Sequence, residues 1–437
     1  MTATDPRQAT HRTIEAVWRI EQARVIAGLT RLTRDVGLAE DLAQEALVAA
    51  LEQWPRTGIP DNPAAWLTAT AKRRAIDLFR RNAVAERKHE ELARELEALE
   101  QTSPDLDSTL DNTISDDLLR LVFIACHPIL STESRTALTL RLLGGLTTDE
   151  IARAFLTPEP TIAQRIVRAK RTLADKHIPF EVPRGPELAA RLASVLEVIY
   201  LIFNEGYSAT AGDDLMRPNL CEDALRLGRI LAELTPSEPE VHGLVGLMEI
   251  QASRTRARVT STGEPVLLFD QNRTQWDQLL IQRGFTAIER AHKINSTRET
   301  DSGRGPYLVQ AEITACHARA RTPSETDWQR IVYLYTELAQ MTPSPVIELN
   351  RAVAVSMALG PQAGLTLVDA LASEPSLARY HLLPSVRADL LYKLGRHSEA
   401  RGEFERAAAL TRNIRERDLL LTRAASCESD PTNPQGK

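Results

Sequence analysis

Apolar residues recur at three- and four-residue spacing along most of the chain, and no long polar/apolar alternation occurs, so the pattern predicts an all-α protein. Leu38 to Trp54 is one amphipathic helix, with Asp41, Gln44 and Glu45 sharing its polar side. Pro63 to Asn82 is another: Leu67, Ala71, Ala75, Leu78 and Phe79 make an apolar stripe, while Arg73, Arg74, Asp77, Arg80 and Arg81 gather opposite. Between them, Trp54 to Pro63 holds three prolines and a glycine and predicts a stiff, non-helical loop.

Glu86 to Asp117 carries 11 Asp/Glu against 3 Lys/Arg, and Gln101 to Thr113 loses apolar periodicity, which reads as an acidic linker. Helical pattern then resumes to about residue 176. Thr147 and Glu150 have capping-box spacing and open a short helix, Thr148 to Phe155. Thr157 reads as the next N-cap, with Pro158 first in the helix and Pro160 still in its first turn. In that helix Ile162, Ile166, Ala169 and Leu173 stack on one face. Thr161, Gln164, Arg165, Arg168 and Arg171 point the other way. Two short helices, the second exposing Gln and Arg, form a helix-turn-helix; a helical hairpin with a basic surface is the plainer reading.

Beyond Pro183 an Ala/Leu-rich helical region runs to about Ala425. Leu359-Gly360 and Leu394-Gly395 end two helical patterns 35 residues apart, and Glu222–Leu234 with Glu240–Arg256 forms a similar pair. This is the tetratricopeptide (TPR) period, with an irregular helical bundle as the alternative. Arg258 to Phe269 interrupts it as a small β-hairpin. The divisions are therefore 10–88, 89–114 (linker), 115–178, 184–425 (helical repeat) and 426–437 (a disordered tail).

Across 437 residues the net charge is −6, which excludes a uniformly basic nucleic-acid coat and makes local basic runs informative. Lys72 to Lys88 holds seven basic residues against two acidic ones. A solvated helix usually mixes signs; arginines gathered on one face suit backbone phosphates. The adjoining loop could hold an unstacked base with polar tips such as Asn62, while Trp66 reads as core. Four isolated cysteines give neither a zinc site nor a disulfide framework, and Cys126-His127 reads as a buried structural pair. The first thirty residues lack a signal-peptide core. The most apolar stretch, Val195 to Phe203, contains Glu197 and is far short of a membrane span, so a cytoplasmic protein is expected. No nucleotide, protease or hydrolase motif occurs, and no enzymatic activity, cofactor or metal is expected.

Asp41-Leu42-Ala43-Gln44-Glu45-Ala46, Ala64-Ala65-Trp66-Leu67 continuing to Arg80-Arg81, and Leu146 to Arg171 together resemble bacterial extracytoplasmic-function sigma factors of the sigma-70 superfamily. The first module is similar to their region 2 and the second to region 4. Leu201–Ala209, Asp270–Asp277 and Ser344–Ala354 resemble the subgroup with a C-terminal helical-repeat domain. The resemblance implies that Asp41, Gln44 and Glu45 lie on a helix binding core RNA polymerase. It places Asn62, Lys72, Arg73, Arg74, Asp77, Arg80 and Arg81 on the opened −10 element, and Thr161, Gln164, Arg165, Arg168 and Arg171 in the −35 major groove. The acidic linker would occupy a polymerase channel. Thr157-Pro158-Glu159-Pro160 departs from the family, where a glycine usually precedes the position of Thr161. In the C-terminal domain Asn204, Glu205, Tyr207, Asp270, Arg273 and Trp276 are regulatory contact or hinge residues, or else packing between repeats. The rival function is a stand-alone helix-turn-helix activator whose repeats sense a ligand or partner.

Overall fold

The computed structural model describes residues 6–83, 107–209, 211–297 and 303–427. Eighteen α-helices are found among them, and the only strands are two residues long. The chain divides into two compact units, residues 1–199 and 200–437.

In the first unit α1 (Pro6–Thr33), α2 (Val36–Thr57), α3 (Pro63–Ala83) and α4 (Asp107–Ala125) pack around Ile26, Leu29, Leu42, Trp54, Leu67 and Leu121, all at most 3% exposed. Asp35 caps α2 by accepting from the Gly37 and Leu38 amides, which satisfies two orphan N–H groups of the first turn. α2 continues through Pro55 to Thr57, so the loop expected from Trp54 shrinks to residues 58–62; Gly58, at φ +85°, ends the helix. Trp54 is buried edge-on against Trp66, with ring centres 5.3 Å apart.

The expected linker is also shorter. Helix α4 begins at Asp107, inside the stretch read as aperiodic, and the expected linker residues 89–106 lie outside the described residues. The amphipathic half further on anchors α4: Asp117 is buried between Arg31 of α1 (2.9 Å) and Arg120 (2.6 Å). Next come α5 (Thr132–Thr139), a π-helical turn (Leu140–Gly144), α6 (Thr148–Ala154) and α7 (Glu159–Asp175). The Thr147–Glu150 capping box forms as the spacing predicts. Thr157, however, is not the cap of α7. Its hydroxyl donates to Phe155 O, Pro158 takes the N-cap position, and Pro160 falls in the first turn. The turn between α6 and α7 passes through Leu156 at φ +46°, a left-handed conformation more usual for glycine.

The unit ends within α8 (Pro186–Tyr207), later than the boundary drawn at residue 184. Ser194 donates to Cys126 O (2.6 Å) and Arg191 to Phe123 O (2.9 Å), while Arg135 bonds Ser194 and Glu197. These buried bonds fasten the first half of α8 to α4 and α5.

In the second unit consecutive helices stack in chain order: α9 (Pro218–Leu234), α10 (Pro239–Ala252), α11 (Gln278–Thr297), α12 (Pro306–Arg319), α13 (Trp328–Met341), α14 (Pro345–Leu359), α15 (Pro361–Ala370), α16 (Leu382–Lys393), α17 (His397–Leu410) and α18 (Ile414–Ser426). The two repeat glycines sit where expected: Gly360 (φ +98°) joins α14 to α15, and Gly395 (φ +74°) joins α16 to α17. The predicted hairpin is reduced to one antiparallel bridge, Val259 to Pro265. A two-residue parallel ladder pairs β1 (Ala211–Gly212) with β2 (Arg412–Asn413). Fully buried Asn413 secures it by donating to Ala209 O and Asp214 O. Helix α18 runs to Ser426, and the expected tail from residue 428 lies outside the described residues. No helix among the described residues is long and apolar enough to cross a membrane.

Candidate nucleic-acid and polymerase interfaces

Helix α3 buries Leu67, Ala71, Ala75 and Phe79, with Leu78 half-buried. That leaves Arg73, Asp77, Arg80 and Arg81 exposed on its outer side. Arg81 Nε donates to Asp77 O (3.2 Å), which holds that guanidinium along the helix. Lys72 and Arg74 are half-buried, and Arg74 Nη1 is 2.7 Å from Glu45 Oε2 on α2. Asn62, exposed at the start of α3, accepts the Ala65 amide through Oδ1, leaving its NH₂ group outward. The Arg face is therefore present, with one of its members already tied to the helix beside it.

On α2 the three polar residues part ways. Asp41 and Glu45 are exposed, whereas Gln44 is half-buried and donates to Glu40 Oε1 (3.2 Å). Glu40 is the residue that sequence patterning missed. Its carboxylate is 5% exposed and accepts Arg141 Nε (2.7 Å) from the π-helical turn and pairs with Lys170 of α7. Gln22 of α1 adds a bond to Arg141 O (2.9 Å). The π turn carries Arg141 to this bond, and Gly145 at φ +78° follows it before α6. One buried carboxylate thus joins the first helical module to the helix-turn-helix.

On α7 Ile162, Ile166, Ala169 and Leu173 are each at most 5% exposed and seat the helix. Gln164, Arg168 and Arg171 are exposed and Thr161 and Arg165 half-buried; Arg171 faces Asp175 at 3.5 Å with both side chains mostly in solvent. Lys170 of this helix turns inward, to Glu40. The outer edge presents the amide and guanidinium groups that read base edges and phosphates in a major groove.

The C-terminal residues are brought together unequally. Tyr207 lies beneath Arg258, with the guanidinium carbon 3.7 Å from the ring centre, and Arg273 covers buried Trp276 at 4.9 Å. Arg254, which the sequence reading did not single out, touches both rings, at 5.8 Å and 5.7 Å. Glu205 pairs with Arg217, and Asn204 hydrogen-bonds the Tyr200 phenol. Asp270 stays exposed, with its amide closing a turn on Leu267 O. All four cysteines are free and buried; burial pushes the Cys126 thiol up to about 11, and its sulfur contacts Thr139 Oγ1. His127, beside it, is half-buried rather than enclosed.

Residues 18–84 match the sigma-70 region 2 family and residues 120–173 the sigma-70 region 4 family, while residues 191–292 match a family of unknown function, DUF6596. An uncharacterized protein of Rhizobium meliloti is 43% identical over 410 residues, 93% of this chain and 94% of that one. The probable ECF RNA polymerase sigma factor SigI of Mycobacterium tuberculosis is 25% identical over 174 residues, 39% of this chain and 58% of its own. The ECF sigma factor SigK of Mycobacterium sp. strain KMS is 28% identical over 167 residues, 37% of this chain and 82% of its own. The two sigma-70 matches fall on the two basic modules, and the C-terminal match covers most of α8 to α11. The chain belongs to the sigma-70 superfamily, in the extracytoplasmic-function group of RNA polymerase sigma factors that carries an added C-terminal helical domain.

Proposed function

We propose that this sigma factor brings core RNA polymerase to its promoters by dividing the work between the two basic modules. Asp41 and Glu45, at the outer edge of α2, meet the polymerase clamp, and Gln44 supports that helix from within. Asn62, Lys72, Arg73, Arg74, Asp77, Arg80 and Arg81 hold the opened −10 strand: a separated strand needs a place for an extruded base and cations along its phosphates. Thr161, Gln164, Arg165, Arg168 and Arg171 enter the −35 major groove. Residues 10–88 and 107–178 are the corresponding modules, joined by the acidic stretch between them.

The observation that carries this reading is the pair of exposed basic faces, on α3 and α7, each backed by a buried apolar stripe. With a net charge of −6 the isolated chain should bind DNA weakly, so specific binding depends on polymerase holding both modules on one promoter. Residues 184–425 tune that activity, and the site of action is the cytoplasm, where polymerase works. Run-off transcription with purified core enzyme tests the reading. Removing the chain beyond Tyr207, the end of α8, keeps the bonds of α8 to α4 and α5 and tests the regulatory part: altered output or promoter choice is expected, and unchanged transcription would remove the regulatory role.

A further inference from the structure

Tyr207, Arg254, Arg258, Arg273 and Trp276 form an alternating ladder of cations and rings in the second unit. In order these are Arg258, Tyr207, Arg254, Trp276 and Arg273, with guanidinium-to-ring distances of 3.7 to 5.8 Å. Arg273 donates through Nη1 to His317 O and Ala320 O and through Nη2 to Thr326 Oγ1, with only its buried Nε left without a partner. The other two are not compensated in the same way. Arg258 donates to Tyr207 O, and Arg254 Nε is buried without a hydrogen-bond partner. Among the described residues neither arginine has a carboxylate within ion-pair distance. Burial lowers the pKa of Arg258 and neighbouring Arg254 adds repulsion, although the Tyr207 phenol, the Cys221 thiol and the Glu416 carboxylate oppose the shift, so a positive charge is held where it is poorly solvated.

Both arginines and Tyr207 face a cavity of about 330 Å³. The rest of its wall is largely apolar, with Leu215, Val266, Leu419 and Leu420 among the lining residues. The facing wall carries Glu416, which contacts His381 (3.2 Å) and accepts from the Thr411 hydroxyl (2.9 Å) and attracts Arg258 without an ion-pair contact to it. A second, wider cavity lies across the Leu267–Leu268 segment, where Lys393 and Arg423 share the carboxylate of Asp389 and so are both already ion-paired.

We propose that the Arg254–Arg258 cavity binds a small organic monoanion, a carboxylate carried on a single-ring apolar body. The volume is at the low end of the range for ligand pockets and suits one ring. A carboxylate can take forked hydrogen bonds from a guanidinium, and a ring fits the apolar wall beside Tyr207. Glu416 opposite disfavours a dianion such as phosphate. The site would make the C-terminal unit a sensor of aromatic acids, a property that does not depend on how the sigma modules act.

Isothermal titration of the full-length chain tests it, with benzoate, phenylacetate and 3-phenylpropionate each compared with its uncharged amide and with inorganic phosphate. At least one acid should bind at one site per chain, at least about tenfold more tightly than its amide or phosphate, the loss expected when a charge-assisted contact is removed. Arg254→Gln should abolish that preference, with far-UV circular dichroism confirming the fold. The comparison of acid with amide on the unmodified chain decides the matter even where a variant fails to fold. Acids that bind no better than their amides, or phosphate that binds best, would overturn the proposal. So would a preference that survives in a folded Arg254→Gln variant.

Discussion

Arg74 of α3 donates to Glu45 of α2 across 2.7 Å, so the helix assigned to DNA and the helix assigned to polymerase are tied at their outer edges. Each residue therefore competes with the other's partner for part of its hydrogen-bonding capacity. Both side chains are more than a third exposed, and the pair adds less than about 1 kcal/mol to stability. Glu45→Ala should leave the melting temperature nearly unchanged while raising affinity for single-stranded −10 DNA and lowering affinity for core polymerase. Fluorescence anisotropy with each partner reads the two effects separately; a loss of both affinities would show that Glu45 positions α3 instead.

Glu40 is a different kind of residue. Its carboxylate is buried between Arg141 and Lys170, and removing it strands two cations in a poorly solvated interface. Glu40→Gln should cost about 3 kcal/mol, in the range for breaking a buried pair from one side. Chemical denaturation measures the loss, and a double-mutant cycle with Lys170→Met should recover more than about 1 kcal/mol of coupling. Additive losses would mean that the contact is incidental.

How far these sites were legible in the sequence follows from where their partners lie. The capping box, the apolar stripes of α3 and α7 and the two repeat glycines depend on residues within a turn or two, and periodicity displays them directly. Glu40 could not be read that way. A glutamate on an amphipathic helix looks solvated, and Arg141 arrives 101 residues later through a π turn that no local pattern announces. Arg254 was missed for the same reason, since Trp276 is close only in the fold. The start of α4 was misplaced because Asp107 to Thr113 has no apolar stripe, while the packed part of the helix lies further along. Thr157 was displaced as a cap because Pro158 takes that position and Thr157 folds back onto Phe155.

Arg168 projects from α7 into solvent, away from the buried stripe. Arg168→Ala should therefore keep the fold and weaken −35-dependent promoter binding by the polymerase complex by about 1 to 3 kcal/mol, as for a bidentate base contact. Binding assays over a set of −35 variants should also show relaxed choice at one base pair. Uniform weakening across all sequences would assign Arg168 to a phosphate.

His317, packed edge-on against Trp328 at 5.2 Å, provides a pH test. Burial, reinforced by Arg254 and Arg273, pulls its pKa down to about 3 from an ordinary value near 6.5. The folded chain then keeps the ring neutral while the unfolded chain protonates it. Its contribution to stability is complete above pH 6.5 and declines as pH falls from there toward 3, by at most about 1.4 kcal/mol per pH unit. Denaturation between pH 7 and 5 should show a shallower decline in His317→Gln than in the parent, and parallel slopes would contradict this origin.

The most direct measurement is run-off transcription from the promoter upstream of the protein's own coding sequence, using core RNA polymerase freed of other sigma factors. Addition of this chain should yield a discrete transcript, and reversing the charge of Arg80 and Arg81 together should reduce open-complex formation more than polymerase binding. A transcript that appears only when another sigma factor is also present would contradict the assignment of promoter opening to the α3 face.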